Sequence, residues 1–325
     1  MLAAKHIELH RSRDFGRKLN ATIEFIKQNF KYLFKSMLYI AGPFIILGSL
    51  FITQVFSNFM NLTMQASTRS TDPDLEELAS LGGYIAIGAI FLLLGTATII
   101  STVYEYMAIY EKKGDHRIEV SEVWAGVKKS FWSMLGTVIL YSLILIGCYI
   151  LLLIPLFVLA AMSPALIFVW FIIVIVVLTY VFTASSLVFI IKSYEKVGFG
   201  TAFNRSFQLI KENWWSTFGI IFLTGLIRGV ISSIFFIPWY ASFIISMIDV
   251  SRTGVLQEPS VTMQIFNYIT LLLYFVANTL LYCIPLIAIA FQYFNLVETK
   301  ESKNLMSKID SFGTTVNEED EEEHY

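Results

Sequence analysis

Apolar and polar positions alternate along this chain on two length scales. On the longer one, six runs are apolar and long enough to cross a membrane, at about 20 residues per roughly 30 Å of hydrocarbon. They are Ser36–Phe56, Leu81–Met107, Ser133–Ala160, Ala165–Ile191, Ser216–Phe236 and Phe266–Phe294. The third and fourth are the clearest, because no Asp, Glu, Lys or Arg occurs between Lys129 and Lys192. Met162-Ser163-Pro164 supplies the turn between them. The fifth carries Arg228, and Pro238 separates it from Trp239–Ile248, a largely apolar piece too short to span. That piece is expected to be interfacial or re-entrant. On the shorter scale, three segments ahead of the odd-numbered spans place apolar side chains at i, i+3, i+4 steps among Lys, Arg, Glu and Asn. Their stripes are Phe15, Leu19, Ile23, Ile26, Phe30; Val120, Val123, Trp124, Val127, Phe131; and Phe199, Phe203, Phe207, Ile210, Trp214. They predict amphipathic helices in the membrane interface, with aromatics in the headgroup layer and cations toward phosphates.

Composition names the solvent. Apolar residues make up 56% of the 325 positions and charged residues 15%, against about 25% charged in an ordinary globular protein. A soluble fold is excluded. Helices satisfy their own backbone groups in lipid, so the fold class expected is an all-α, polytopic membrane helical bundle. A net charge of −2 provides no basic field for nucleic acid, which is excluded as a partner. Cys148 and Cys283 lie in separate apolar runs, where they read as small packing residues rather than a disulfide framework. Met1 to Lys18 is polar and basic with no apolar core before a cleavage site, so the first apolar run is expected to act as an uncleaved start-transfer helix.

Basic residues set the orientation. Twenty Lys or Arg fall in the segment up to Lys35, in the connections Ala108–Trp132 and Lys192–Trp215, and in the tail. The alternate connections hold only Arg69 and Arg252, and the first of them is acidic through Asp72, Asp74, Glu76 and Glu77. Both termini are therefore expected in the cytoplasm. The chain divides into a cytoplasmic segment with an interfacial helix over 1–35, a six-helix membrane domain over 36–294, and an acidic, disordered cytoplasmic tail over 295–325.

Sliding the chain against itself reveals an internal repeat. Trp124–Pro155 aligns without gaps on Phe207–Pro238, with matches at Lys128/Lys211, Trp132/Trp215, Ser133/Ser216, Gly136/Gly219 and Pro155/Pro238. Tyr110-Glu111-Lys112-Lys113-Gly114 echoes Tyr194-Glu195-Lys196-Val197-Gly198, and the N-terminal segment fits more weakly through Lys27/Lys211, Asn29/Asn213 and Phe34/Phe218. The reading is three pseudo-repeats, each an interfacial amphipathic helix followed by a helical hairpin. Phe30, Lys31, Lys128, Phe131, Trp132, Lys211, Trp214 and Trp215 would form an aromatic and basic collar on the cytoplasmic side. The collar either merely prefixes and orients the spans, or it touches lipid or docks a partner.

The run Tyr194-Glu195-Lys196-Val197-Gly198-Phe199-Gly200, followed by Ala202-Phe203-Asn204-Arg205-Ser206-Phe207-Gln208-Leu209-Ile210-Lys211-Glu212-Asn213-Trp214-Trp215, resembles the membrane domain attached to some bacterial glycerophosphodiester phosphodiesterases. It is similar also to stand-alone six-helix relatives of that domain, which have no established activity. The likeness covers roughly residues 15–300 and is specific around 194–219. The family's hydrolase is a separate soluble barrel, which needs at least about 200 residues of alternating strands and helices. The resemblance therefore implies fold class and residence in a bacterial inner membrane, and not the hydrolase activity.

Catalysis would need clustered acids, bases, nucleophiles or metal ligands. His6, His10, His116 and His324 all sit in polar segments, and no Gly-rich phosphate loop or Gly-x-Ser-x-Gly occurs. No catalytic constellation, metal site or cofactor site is expected. Arg228 is the polar position to explain, because a cation in the membrane costs about 2.5–3.5 kcal/mol or more. It lies roughly 18 Å along a helix beyond Ser216, past the midplane. Its repeat equivalents are Leu145 and Phe44. Gly225 and Gly229 would admit a close helix neighbour. Arg228 either snorkels to the outer headgroups or faces inward toward an anionic lipid, a substrate or another helix's polar group, with Asn278 the partner available. Glu105 lies near the cytoplasmic end of its span, at the wrong depth. Pro155, Pro238 and Pro285 are expected to be ordinary membrane-helix prolines rather than breaks.

The expectation is a non-enzymatic integral membrane protein, a lipid-contacting scaffold or partner subunit. The alternative is a transport permease or permease subunit coupled to a cytoplasmic ATPase, carrying lipid or hydrophobic cargo. Its partners are expected to be membrane lipid, and beyond it another membrane protein or a cytoplasmic protein.

Overall fold

Apolar stretches whose every backbone N–H and C=O needs an internal partner favour helices. The computed structural model describes residues 6–68, 75–114, 117–253 and 260–319, and these contain helices and no strands. The helices are α1 (Phe15–Ile40), α2 (Gly42–Thr68), α3 (Leu75–Lys113), α4 (Val120–Met162), α5 (Pro164–Ala184), α6 (Val188–Glu195), α7 (Phe199–Ile210), α8 (Trp214–Thr253), α9 (Val261–Leu280) and α10 (Cys283–Glu319). Six stretches are long and apolar enough to cross a membrane: Gly42–Met60, Leu75–Lys113, Val120–Leu156, Ala165–Glu195, Trp214–Asp249 and Val261–Glu301. The protein is a multi-pass, all-α membrane protein. Arg69, Asp72, Asp74, His116, His324 and the acidic run from residue 320 onward lie outside the described residues.

The boundaries differ from the sequence reading in instructive ways. Residues 36–40 belong to α1, and a turn at Ala41 precedes the first span. The segment Trp239–Ile248, expected to lie on or dip into the membrane, instead continues α8 straight through Pro238. One missing N–H costs a single helical bond, whereas leaving the helix in hydrocarbon would expose several backbone groups. Trp239 also anchors that stretch by ring contacts to Phe236 at 5.0 Å and Phe56 at 5.1 Å. Pro155 is likewise absorbed within α4. Pro285 is not absorbed. It sits just after a turn at Leu281–Tyr282 that splits the last span into α9 and α10, and Ile284 N takes the Leu281 carbonyl that Pro285 cannot reach. α10 continues past residue 294 to Glu319.

The helices group into two compact units, one of Met1–Gln28, Leu151–Ile221 and Ile287–Tyr325, the other of Asn29–Ile150 and Phe222–Leu286. In the second, α2 packs on α3 and α9. Glycines allow the α2–α3 approach: a Cβ on Gly48 would stand 3.3 Å from Leu92 N, and one on Gly88 3.2 Å from Phe51 Cβ. In the first, α7 packs against α6 and touches α5. The break between α5 and α6 strands the Leu187 N–H, which donates to Ser206 Oγ of α7 at 3.2 Å, while the Ser206 hydroxyl donates to the Ala184 carbonyl at 2.7 Å. No residue in the most apolar stretch of α5 is buried. Phe168, Phe171 and Val176 all stand exposed there, a surface suited to contact with lipid or a partner protein.

Candidate functional site

Arg228 projects from α8 toward α9. Its Nη2 donates to Asn278 Oδ1 at 2.9 Å, and its guanidinium carbon lies 5.3 Å from the centre of the Tyr282 ring. The Asn278 amide nitrogen donates to Ser232 Oγ and Tyr274 OH, both at 3.4 Å. Tyr282 is presented here by the turn ahead of Pro285. Tyr104 of α3 lies close enough to Tyr282 to interact with it electrostatically, and its buried hydroxyl has no hydrogen-bond partner among the described residues. Among the described residues no carboxylate pairs with Arg228. Glu105 packs elsewhere, its carboxylate filling the space a Gly126 side chain would take. Gly225 and Gly229 receive no helix: both are exposed, and a Cβ on either would meet nothing within 4 Å. Among the described residues none supplies the close neighbour their spacing predicts.

The collar residues are distributed over both units. In the second unit Phe30 is 58% exposed and stacks on Phe34 at 5.4 Å, with Lys31 exposed beside it. Lys128 lies 5.1 Å from the Trp124 ring, and Phe131 meets a 77%-exposed Trp132 edge-on at 5.3 Å. In the first unit Lys211 is exposed, Trp215 is 78% exposed, and half-buried Trp214 stacks on Phe218 at 5.3 Å and on Tyr180 at 5.9 Å.

The faces these helices turn inward are informative. α1 buries Lys18, Ala21, Thr22 and Phe25 in the first unit and Asn29, Leu33 and Met37 in the second, while Phe15, Ile23 and Phe30 stay exposed. α7 buries Ala202, Ser206, Leu209 and Ile210 and leaves Phe199, Phe203 and Phe207 half-buried, with successive ring centres 5.9 and 4.9 Å apart. On both helices a mixed face packs inward, with Phe25, Leu33 and Met37 of α1 and Leu209 and Ile210 of α7 beside polar and small residues, while several aromatic side chains are left exposed or half-buried.

Sequence reasoning missed the buried cation behind α1. Lys18 Nζ donates to Gln292 Oε1 at 2.6 Å and Ser216 Oγ at 3.1 Å, and Gln292 Nε2 donates to Thr217 Oγ1 at 2.9 Å. Burial pushes the Lys18 ammonium below its ordinary pKa near 10.5, against the opposing pull of Asp14. Arg13 shares this end of α10, lying 5.3 Å over the Phe291 ring with its backbone N–H on Asn295 Oδ1 at 2.6 Å. Arg205 bridges Glu195 at 2.5 Å and Glu301 at 2.6 Å, and Tyr293 OH donates to the same Glu195 at 2.8 Å. The signal available was the isolated pair of amides, Gln292 and Asn295, in the apolar run from Ile284 to Leu296.

No family model, curated protein or solved structure matches this chain. Among the described residues no three His, Cys, Asp or Glu come together as a metal site. A recess of about 250 Å³ near the N-terminus is lined by Arg11, Arg13, Arg17, Glu8 and Glu24. Arg13 is already engaged there by the Leu9 and Glu8 carbonyls, Arg17 by Asp14 and Arg11 by Glu8.

Proposed function

We propose that this protein is a lipid-contacting scaffold or partner subunit of the bacterial inner membrane, with both termini in the cytoplasm. The observation that carries the reading is the set of exposed aromatic side chains on α1, Phe15, Phe30 and Phe34, flanked by Arg17, Lys27 and Lys31, with the half-buried phenylalanines of α7 as a second such row. Such a face suits the headgroup layer, where rings sit at the interface and cations meet phosphates. The three-repeat organisation and membership of the glycerophosphodiester phosphodiesterase membrane-domain-like family form part of the proposal. They rest on the matches around Lys128/Lys211 and Trp132/Trp215 and on the run from Tyr194 to Trp215. The basic connections support the orientation.

A second reading, a permease or permease subunit working with a cytoplasmic ATPase on lipid or hydrophobic cargo, is favoured by one observation. The last span is discontinuous at Tyr282, beside an intramembrane polar cluster, as transporter helices are at their binding sites. Purification in mild detergent followed by mass spectrometry separates the two. Stoichiometric lipid or a membrane partner without an ATPase supports the scaffold, a stoichiometric ATPase supports the permease, and neither contradicts both.

A further inference from the structure

Arg228 lies within a span, and among the described residues no carboxylate pairs with it. A guanidinium has five N–H donors in a planar fork. Asn278 takes one of those of Arg228, and Tyr282 offers a ring face. A neutral amide and a ring do not cancel a full charge, and intramembrane charge is retained where it has a task. Among the described residues nothing lies within 4 Å of a Cβ on Gly225, one turn before Arg228, and Ile231 and Phe235 on the same side of α8 are exposed apolar side chains.

We infer that Arg228, oriented by Asn278 and Tyr282, binds the oxyanion head of a long-chain amphiphile. The arginine fork donates to two oxygens of one phosphate or carboxylate. The acyl chain runs along the side of α8 that Arg228 shares with Gly225, Ile231 and Phe235, the last two exposed apolar side chains. This assignment rests on the reading that lipid surrounds the six helices.

The test uses the full chain, stripped of co-purified lipid in mild detergent and offered four ligands separately: phosphatidylglycerol, phosphatidylethanolamine, a long-chain fatty acid and inorganic phosphate. Native mass spectrometry should show one equivalent of phosphatidylglycerol or fatty acid retained at least about tenfold better than phosphatidylethanolamine, and the better of the two identifies the head as phosphate or carboxylate. Retention should be lost in Arg228→Leu and in Arg228→Gln, the second keeping a donor for Asn278. In the unsubstituted protein, hydrogen exchange over 224–232 should slow when the amphiphile is added, a readout independent of how the variants fold. Equal retention by the variants, no preference for an anionic head, unchanged exchange, or equally tight binding of inorganic phosphate overturns the assignment. Co-flotation with lipid vesicles reports separately on the membrane reading: a chain that floats but keeps no anionic amphiphile overturns only the role of Arg228.

Discussion

Lys18 and Gln292, at opposite ends of the sequence, meet through a 2.6 Å hydrogen bond that ties α1 to α10 without a carboxylate. Because burial lowers the Lys18 pKa in the folded protein, the unfolded chain binds the proton more tightly. Between the lowered value and about 10.5 the unfolded state holds more protons, so this site makes stability rise with pH across that alkaline window. Below the window its cost is constant. Thermal unfolding in detergent from neutral to alkaline pH should show this rise, and Lys18→Met should flatten it relative to the unsubstituted protein.

Ser206→Ala should destabilise the α5–α6 break. The substitution leaves the Leu187 N–H and the Ala184 carbonyl without their shared hydroxyl in a site with no water access. An orphaned buried donor costs about 1–3 kcal/mol. Faster amide exchange at 185–188 and a lower Tm are the expected results, while Ser233→Ala, on an exposed face of α8, should change neither.

The α2–α3 contact depends on Gly48. A valine there would drive methyl groups toward the Leu92 backbone, which a Cβ alone already meets at 3.3 Å. Overpacking of this kind costs about 1–3 kcal/mol. Gly147→Ala in α4, where a Cβ meets nothing within 4 Å, should be neutral. Midpoints of thermal unfolding for the two variants test the contrast.

Glu105 and Gly126 should couple energetically. A Cβ at Gly126 would fall 2.6 Å from Glu105 Oε2, so Gly126→Ala displaces that carboxylate. Removing it first with Glu105→Ala should relieve the clash. A double-mutant cycle is expected to give an interaction energy of about 0.5–3 kcal/mol; additive effects would contradict the contact.

The spans were legible because twenty-residue apolar runs are a strong signal with one physical cause, the thickness of hydrocarbon. The meeting of Arg228 with Asn278 could be anticipated for a related reason: polar groups are scarce in those runs, so few pairings exist. The continuity of α8 was obscured because Pro238 is a breaker in water and a tolerated defect in lipid. The break at Ser185–Leu187 had no local mark, since its hydrogen-bond partner Ser206 arrives from another helix. Lys18 was invisible for the same reason. A lysine in a basic N-terminal segment reads as solvated, and only Gln292 and Ser216, folded against it, make it a buried one.

The central claim is that lipid bathes the exposed apolar faces of the six helices, and Val176 in α5, 61% exposed, tests it most directly. A nitroxide placed there through Val176→Cys, with Cys148 and Cys283 replaced by Ser, can be probed in proteoliposomes by its collisions with dissolved oxygen and with a water-soluble nickel complex. Oxygen collisions should dominate strongly, as they do in hydrocarbon. Dominance of the nickel complex would mean that water touches this face, and would contradict the account.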